Sequence, residues 1–307
     1  MYNKILVPLD GSQRSESILP YARFFAATLK IPVELLHVVD PDVLMPSVIS
    51  HQGRYYDVMT AEKKGSREYL KKIAASFPEL VSVDPVVEIG RAAEIIVDRS
   101  AKEAGTLTAM TTHGRTGLDR LVLGSIAEKV LRAAANHLLL VRATEESKKD
   151  EAISFKRVLV SLDGSRLAEL AIPHAAELAK KMDLAVVLAR VFTHPVPVYT
   201  AESYNVNLRD LWEQIEKETR EYLEEKLQDL KRQGLERVST VAVEGYAPDK
   251  ILQLARAEPL TLVAMCTHGR SGMGRWVLGS VTERVIRHSE GPVLVIRAST
   301  ESRNVAS

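Results

Sequence analysis

The sequence predicts an α/β protein made of two tandem domains, each built on a doubly wound parallel sheet. Short apolar runs typical of buried strands alternate with segments of helical character along the chain. One such run with its polar continuation, Ile5–Ser12, returns later as Val158–Ser165. The chain has 307 residues, which is about twice the usual length of a single domain.

The internal repeat extends well beyond this one motif. Three further pairs of segments match in the same order: Thr112–Arg115 with Thr267–Arg270, Val122–Ser125 with Val277–Ser280, and Leu139–Arg142 with Leu294–Arg297. The residues between the copies, 144–151, are polar and have no apolar period, as is typical of a linker. We therefore expect domains at residues 1–144 and 154–298, a linker at 145–153 and a polar tail at 299–307.

Each element of the first half follows from its pattern of apolar residues and capping signals. Strands are expected at Lys4–Leu9, Val33–Val39, Val81–Ile89, Leu107–Thr111 and Leu138–Arg142, and helices at Ser15–Lys30, Thr60–Phe77, Ala92–Glu103 and Ser125–Ala134. Pro20 should bend or interrupt the first helix unless it lies in the first turns. The second half repeats this order with a longer second helix, Leu208–Gln233. The result is two tandem five-stranded parallel sheets.

Composition and charge argue against several classes of function, although a local basic patch stays open. The formal net charge is +1, whereas surfaces for nucleic acid or anionic membrane carry a basic excess. No apolar run approaches the length of a membrane span, and the first residues lack a signal-peptide pattern. Cys266 is the one cysteine, so an intrachain disulfide is excluded. We expect a cytoplasmic protein with neither nucleic-acid nor membrane partners.

An acidic residue follows the first strand of each half, at Asp10 and Asp163, and a Gly-Ser pair follows it. Ligands of doubly wound sheets bind beyond the carboxyl ends of the strands, where the strand order reverses. A carboxylate there can accept hydrogen bonds from a ribose or a base amine. The alternative is an aspartate that forms a turn by bonding to its own backbone.

The loop after the fourth strand ends in Gly124-Ser125 in the first half and in Gly279-Ser280 in the second. Glycine allows close approach of the backbone or a positive φ. The helix that opens there offers free N–H groups and a positive dipole end, which suit a phosphate. The serine hydroxyl either donates to that phosphate or caps the helix. Four arginines flank the two loops and either neutralise phosphate or lie in solvent: Arg115, Arg120, Arg270 and Arg275.

Other reactive side chains have simpler structural interpretations. His113 and His268 have no carboxylate–histidine–nucleophile order around them and are interpreted as structural loop residues. Cys266 at a strand end is typical of a small buried hydrophobe. No His, Cys or Asp cluster has metal-ligand spacing, and the P-loop pattern is absent. We assign no catalytic residue and no metal ligand.

These features together resemble the universal stress protein family, twice over nearly the whole chain: the strand-one Asp, Thr-His-Gly-Arg, Gly-Ser followed by Glu128 or Glu283, and the closing Leu-Val-Arg-like strand. The resemblance implies a Rossmann-like, adenine nucleotide hydrolase-like fold, an adenine nucleotide site, and pairing of domains through the last strand. Carried over by position, that site comprises Asp10, Val38, Gly114, Gly124 and Ser125 in the first half and Asp163, Val191, Gly269, Gly279 and Ser280 in the second. The two valines correspond to the backbone that contacts adenine.

The sequence departs from the family pattern at one critical position. The first glycine of the family's nucleotide motif is Thr111 in one half and Cys266 in the other. Both side chains add atoms where the family has bare backbone, and they would narrow the space for sugar or phosphates. The first half is the better candidate because it keeps Pro8 and His37, which the second half replaces by Ser161 and Arg190.

The leading hypothesis is a stress-response protein that senses ATP or another adenine nucleotide, with Mg²⁺ as a companion ion. The alternatives are a nucleotide-free interaction scaffold and a slow ATPase. ATP pyrophosphatases carry a Ser-Gly-Gly-x-Asp-Ser loop after strand one, which Leu9–Ser12 does not match. The resemblance also predicts an internal pseudo-dimer through Leu138–Arg142 and Val293–Arg297, and it allows a homo-oligomer.

Overall fold

A computed structural model describes residues 2–43, 55–113, 123–143, 153–194, 208–267 and 278–298. The chain forms two compact units. The first comprises Met1–Ser154 together with Pro292–Arg297, and the second comprises Phe155–Gly291 together with Ala298–Ser307. Within the described ranges, no helix combines the length and the apolar character needed to cross a membrane.

The first unit is an α/β unit on a parallel sheet. Its strands are β1 (Lys4–Pro8), β2 (Val33–Val39), β3 (Val83–Ile89), β4 (Thr106–Thr111) and β5 (Leu138–Val141), and its helices are α1 (Gln13–Glu16), α2 (Leu19–Leu29), α3 (Tyr55–Ala74), α4 (Ala92–Ala101) and α5 (Ser125–Ala133). The parallel strand order is β3-β2-β1-β4-β5. The order therefore reverses at β1, whose neighbours are β2 and β4.

Burial explains why these runs form strands. Ile5, Leu6 and Val7 in β1 are 0% exposed, and every residue of β4 is buried. Strands covered by helices on both faces need apolar residues at successive positions instead of alternate ones. The edge strand β3 has partly exposed residues throughout, which fits its position at the end of the sheet.

Pro20 divides the first predicted helix into two. Ser12 caps α1, and its side chain accepts a hydrogen bond from the Ser15 N–H. A second helix, α2, then begins, with Pro20 in its first turn. The N–H groups of a first turn have no partner within the helix, so the missing N–H of proline costs no hydrogen bond there. The expected single helix Ser15–Lys30 is therefore a pair of helices.

The second unit repeats the same succession of elements. Its described elements are β6 (Arg157–Leu162), α6 (Arg166–Glu169), α7 (Ala171–Met182), β7 (Ala185–Phe192), α8 (Leu208–Arg232), β8 (Val238–Glu244), α9 (Ala247–Ala257), β9 (Thr261–Cys266) and α10 (Ser280–His288). The parallel strand order is β9-β6-β7-β8, so β6 takes the position that β1 has in the first unit.

The last strand of the chain, β10 (Val293–Ile296), is grouped with the first unit. There it pairs antiparallel with β5, with Val293 opposite Leu140 and Val295 opposite Leu138. This pairing protects the edge of the first unit's sheet. An internal pseudo-dimer of the two halves stays a prediction, as does a homo-oligomer.

One turn differs between the units in a way that affects stability. Gly105 directly before β4 has φ 84, and Leu260 directly before β9 has φ 65. Both carbonyls accept a 3.1 Å bond from the residue that precedes the central strand, Asn3 or Lys156. Glycine adopts this left-handed backbone freely, whereas a side chain there costs about 1–2 kcal/mol.

We predict that Leu260→Gly stabilises the protein. The relief of strain exceeds the extra entropy of glycine in the unfolded chain, so the free energy of unfolding should rise by about 0.5–1 kcal/mol. Urea unfolding of the full chain measures this change. The matched variant Gly105→Leu should lower the free energy of unfolding, and a lower value for Leu260→Gly would contradict the argument.

Candidate functional site

The first unit contains a cavity of about 270 Å³ where its strand order reverses. The carboxyl ends of β1, β2 and β4 meet there with the amino end of α5. Its polar lining side chains are Asp10, Ser15, His37, Asp40, Glu62, Thr111, His113 and Ser125. Apolar residues of all three strands complete the wall, as in many small-ligand sites.

Asp10 lines this cavity and at the same time builds the turn after β1. Its Oδ1 accepts hydrogen bonds from the Ser12 N–H at 2.9 Å and from the Ser12 hydroxyl at 2.6 Å. Asp163 makes the same two bonds to Ser165, again at 2.9 and 2.6 Å. The turn interpretation of both aspartates is therefore correct, and the carboxylates nevertheless lie beside the cavities.

The segment after β4 is held by its own hydrogen bonds. The Thr111 hydroxyl donates to the His113 carbonyl at 2.8 Å, so its proton is used within the loop. The Gly124 N–H donates to the Thr112 carbonyl at 2.8 Å, which fixes the start of α5 against the end of β4. His113 is buried, and its Nδ1 lies 2.9 Å from the Thr112 hydroxyl. These contacts are those of a structural loop histidine.

Glycine, and not serine, occupies the cap position of α5 and α10. Gly124 and Gly279 are the N-cap residues, and no side chain in the described residues caps either helix. Of the two alternatives for Ser125 and Ser280, the helix cap is wrong, because each serine is the first helical residue. Gly124 has φ −59, so it is not required for a positive φ either. Its lack of a side chain instead leaves the helix end open to close approach.

The second unit has a corresponding cavity of about 340 Å³. Asp163, Val191, Gly279 and Ser280 line it. Cys266 also lines it and is buried, as expected for a small hydrophobic side chain, and its carbonyl accepts a 2.8 Å bond from the Thr282 hydroxyl. Among the residues that the structure describes, no group of three or more His, Cys, Asp or Glu is placed to hold a metal.

A tyrosine–glutamate pair recurs beside both cavities. The Tyr69 hydroxyl of α3 donates to Glu16 at 3.1 Å, and the Tyr222 hydroxyl of α8 donates to Glu169 at 2.9 Å. Glu16 is 6% exposed, whereas the Glu169 side chain is 27% exposed and also pairs with Lys226 at 3.2 Å. Each pair ties the long helix of its unit to the short helix that follows the central strand.

Burial raises the pKa of both phenols above the ordinary tyrosine value, and the neighbouring glutamates raise the pKa further. The positive charge of Arg190 lowers the pKa of Tyr222 and so offsets part of this rise. A pKa that is raised on folding means that the phenol stabilises the fold while it is protonated. This contribution is complete below the unfolded pKa of about 10 and is lost as the pH rises above it.

The structure brings most of the predicted site residues to the two cavities. Asp10, Val38, Gly124 and Ser125 line the first, and Asp163, Val191, Gly279 and Ser280 line the second. Gly114, Arg115, Gly269 and Arg270 lie outside the described residues, as do Arg120, His268 and Arg275.

The residues that line the first cavity without having been singled out by sequence analysis include Asp40, Glu62 and Ile126. Asp40 directly follows β2, and an acid at the carboxyl end of a strand is a signal that could have identified it. Glu62 lies inside α3, where no local motif marks it, because tertiary packing alone brings that helix to the cavity.

The fold and these cavities define a class of tandem α/β proteins with a cavity at the carboxyl ends of parallel strands. The sequence pattern of the universal stress protein family matches residues 1–142 and 154–297, so the chain belongs to the universal stress protein family.

Full-length relatives agree with this assignment. The chain is 25% identical over 296 residues to a universal stress protein of Mycolicibacterium smegmatis, with 95% of this chain and 96% of that one covered. It is 26% identical over 312 residues to a universal stress protein of Mycobacterium bovis, with 96% of this chain and 97% of that one covered. The crystal structure of a universal stress protein from Archaeoglobus fulgidus DSM 4304 covers 97% of both chains at a TM-score of 0.68 and 21% identity, which shows the same fold.

We predict that Tyr69→Phe destabilises the protein more than Tyr222→Phe. Loss of the Tyr69 hydroxyl removes a donor from a buried carboxylate and should cost about 1–2 kcal/mol. The Glu169 side chain is 27% exposed, so water can replace the lost donor and the second variant should cost about 0.5–1 kcal/mol. Urea unfolding at pH 8 measures both costs.

The same two substitutions test the pH dependence of the protein's stability. Wild-type stability should fall as the pH rises above about 10, because the two phenols then ionise in the unfolded chain while they stay protonated in the folded one. The double variant Tyr69→Phe/Tyr222→Phe should show a shallower fall between pH 9 and pH 11 in thermal unfolding. Equal slopes for the two proteins would refute the assigned pKa direction.

Proposed function

We propose that the first unit binds an adenine nucleotide and that the protein acts as a stress-response sensor, whose shape or partners change when the nucleotide binds. The observation that carries this proposal is the cavity at the reversal of strand order, into which Asp10 and the open amino end of α5 both face. Its volume of about 270 Å³ is near the lower end of the range for small-ligand pockets.

The two ends of the cavity suit the two ends of a nucleotide. At one end, the β2 residues Val38 and Val39 offer backbone and apolar surface to a base. At the other end, the first N–H groups of α5 have no intrahelical acceptor and suit phosphate oxygens, and the Ser125 hydroxyl adds a donor. Asp10 lies at the end of β1, within the same lining, where a ribose hydroxyl could donate to it.

We propose binding without rapid turnover. Rapid hydrolysis needs a positioned general base, or a residue that orients the attacking water. Asp10 is engaged in its own turn, and His113 is engaged with Thr112. Slow ATP hydrolysis is the third hypothesis, and phosphate release measured over hours on the wild type would support it.

One observation favours the scaffold hypothesis instead. Thr111 and Cys266 line the cavities at the position where the family motif has glycine, and both side chains take up space. Nucleotide released from the purified protein and identified by mass would favour the sensor, and its absence together with a flat ATP titration would favour the scaffold.

We predict that Gly124→Val abolishes nucleotide binding. The backbone of Gly124, at φ −59 and ψ 143, is allowed for valine, so the fold should survive. The added side chain would block the approach of phosphate to the first turn of α5. Isothermal titration with Mg-ATP measures the loss, and circular dichroism checks the fold. The matched variant Gly279→Val should bind as the wild type does, and the opposite pattern would move the site to the second unit.

Ser125→Ala should weaken binding without abolishing it. The variant loses about one neutral hydrogen bond, roughly 0.5–1.5 kcal/mol, because the backbone donors of α5 remain. The same titration gives the change, with Ser280→Ala as the control that should leave the affinity unchanged. Complete loss of binding in Ser125→Ala would show that the backbone donors are not the main phosphate contacts.

A further inference from the structure

Arg190 in β7 takes the place that His37 has in β2. Each of these residues directly precedes the valine that lines its cavity. The first cavity is lined by a continuous run of the β2 end, residues 36–40. Among the described residues of β7, Val191 alone lines the second cavity. The second cavity therefore contacts less of β7 than the first cavity contacts of β2.

The Arg190 guanidinium lies over the ring of Tyr222, with its Cζ 4.8 Å from the ring centroid. On its other side is Gly164, the residue that follows Asp163. A Cβ placed on Gly164 would lie 3.0 Å from both Cζ and Nη2 of Arg190. The guanidinium is thus held between an aromatic ring and the backbone of the turn that carries the site aspartate.

The ring that supports Arg190 is itself fixed. The Tyr222 hydroxyl donates to Glu169 at 2.9 Å, and Lys226 pairs with the same glutamate at 3.2 Å. A cation over an aromatic face is attracted by the electrons of the ring. An incoming base would have to displace the guanidinium from this position.

The first unit differs at the corresponding position. His37 meets Tyr69 edge to face, with the ring centroids 6.2 Å apart. Its shorter side chain lines the cavity and leaves the end of β2 accessible. The tyrosine and its glutamate are the same in both units, and the exchange of histidine for arginine changes the side chain of the β2 or β7 position that meets the tyrosine ring.

We propose that Arg190 closes the base end of the second cavity, so that the full chain binds one adenine nucleotide, in the first unit. This inference rests on the proposed function for the choice of ligand. The described lining of the second cavity comes from β6, α6, β9, α9 and α10, including Asp163 and Ser280 beside them, and from Val191 alone in β7.

A reciprocal exchange tests the role of Arg190. The full chain is titrated with Mg-ATP by isothermal calorimetry, and the number of sites is determined. We expect one site in the wild type, two in Arg190→His, and none in His37→Arg, which introduces the closing side chain into the first unit. Adding Gly279→Val to Arg190→His should return the number to one, because the new site uses the amino end of α10.

The possible results separate the role of Arg190 from the proposed nucleotide binding in the first unit. Two sites in the wild type, or a single site in a folded Arg190→His, would overturn the role of Arg190 while leaving the proposed function intact. No site in the wild type but one in Arg190→His would support the role of Arg190 and refute binding in the first unit. No site in either protein would overturn both. Circular dichroism and thermal unfolding confirm folding, and Arg190→Ala is a second variant that should also open the site.

Discussion

The parallel pairing of β1 with β2 on one side and β4 on the other is the constraint on which the site depends. Because the carboxyl ends of these strands lie at one edge of the sheet, the turn after β1 and the loop after β4 are neighbours. Residues far apart in the sequence, such as Asp10 and Ser125, therefore line one cavity. The same pairing of β6 with β7 and β9 reproduces this frame in the second unit.

The arrangement of strands around the cavity is the same in both units, but some of the side chains on those strands differ. The turn aspartate, the open helix end and the tyrosine–glutamate pair occur in each unit. The base end differs, because His37 leaves it accessible whereas Arg190 lies between Tyr222 and Gly164. A duplicated domain can keep its fold while one copy changes its site, since buried apolar residues such as Ile5 and Leu6 hold the sheet and do not line the cavity. One nucleotide per chain would make the first unit the sensing half.

Much of the fold could be predicted from the sequence, because buried strands form continuous apolar runs. β2 was predicted at Val33–Val39 and is found there. The start of α3 was placed at Thr60, yet the helix includes residues from Tyr55 onward, which follow Gly53-Arg54 and not the Ser, Thr, Asp or Asn that signals a helix start in a sequence. The site was harder to predict. Asp10 follows from its place after a strand, whereas the position of Glu62 and the contact of Arg190 with Gly164 depend on tertiary packing.

Photoaffinity labelling of the full chain with 2-azido-ATP, followed by peptide mapping, tests the central claim most directly. The account predicts a label that excess ATP prevents and that is recovered in peptides of the first unit, close to the end of β2. Label of the same specificity in peptides from β6 to α10 would contradict it.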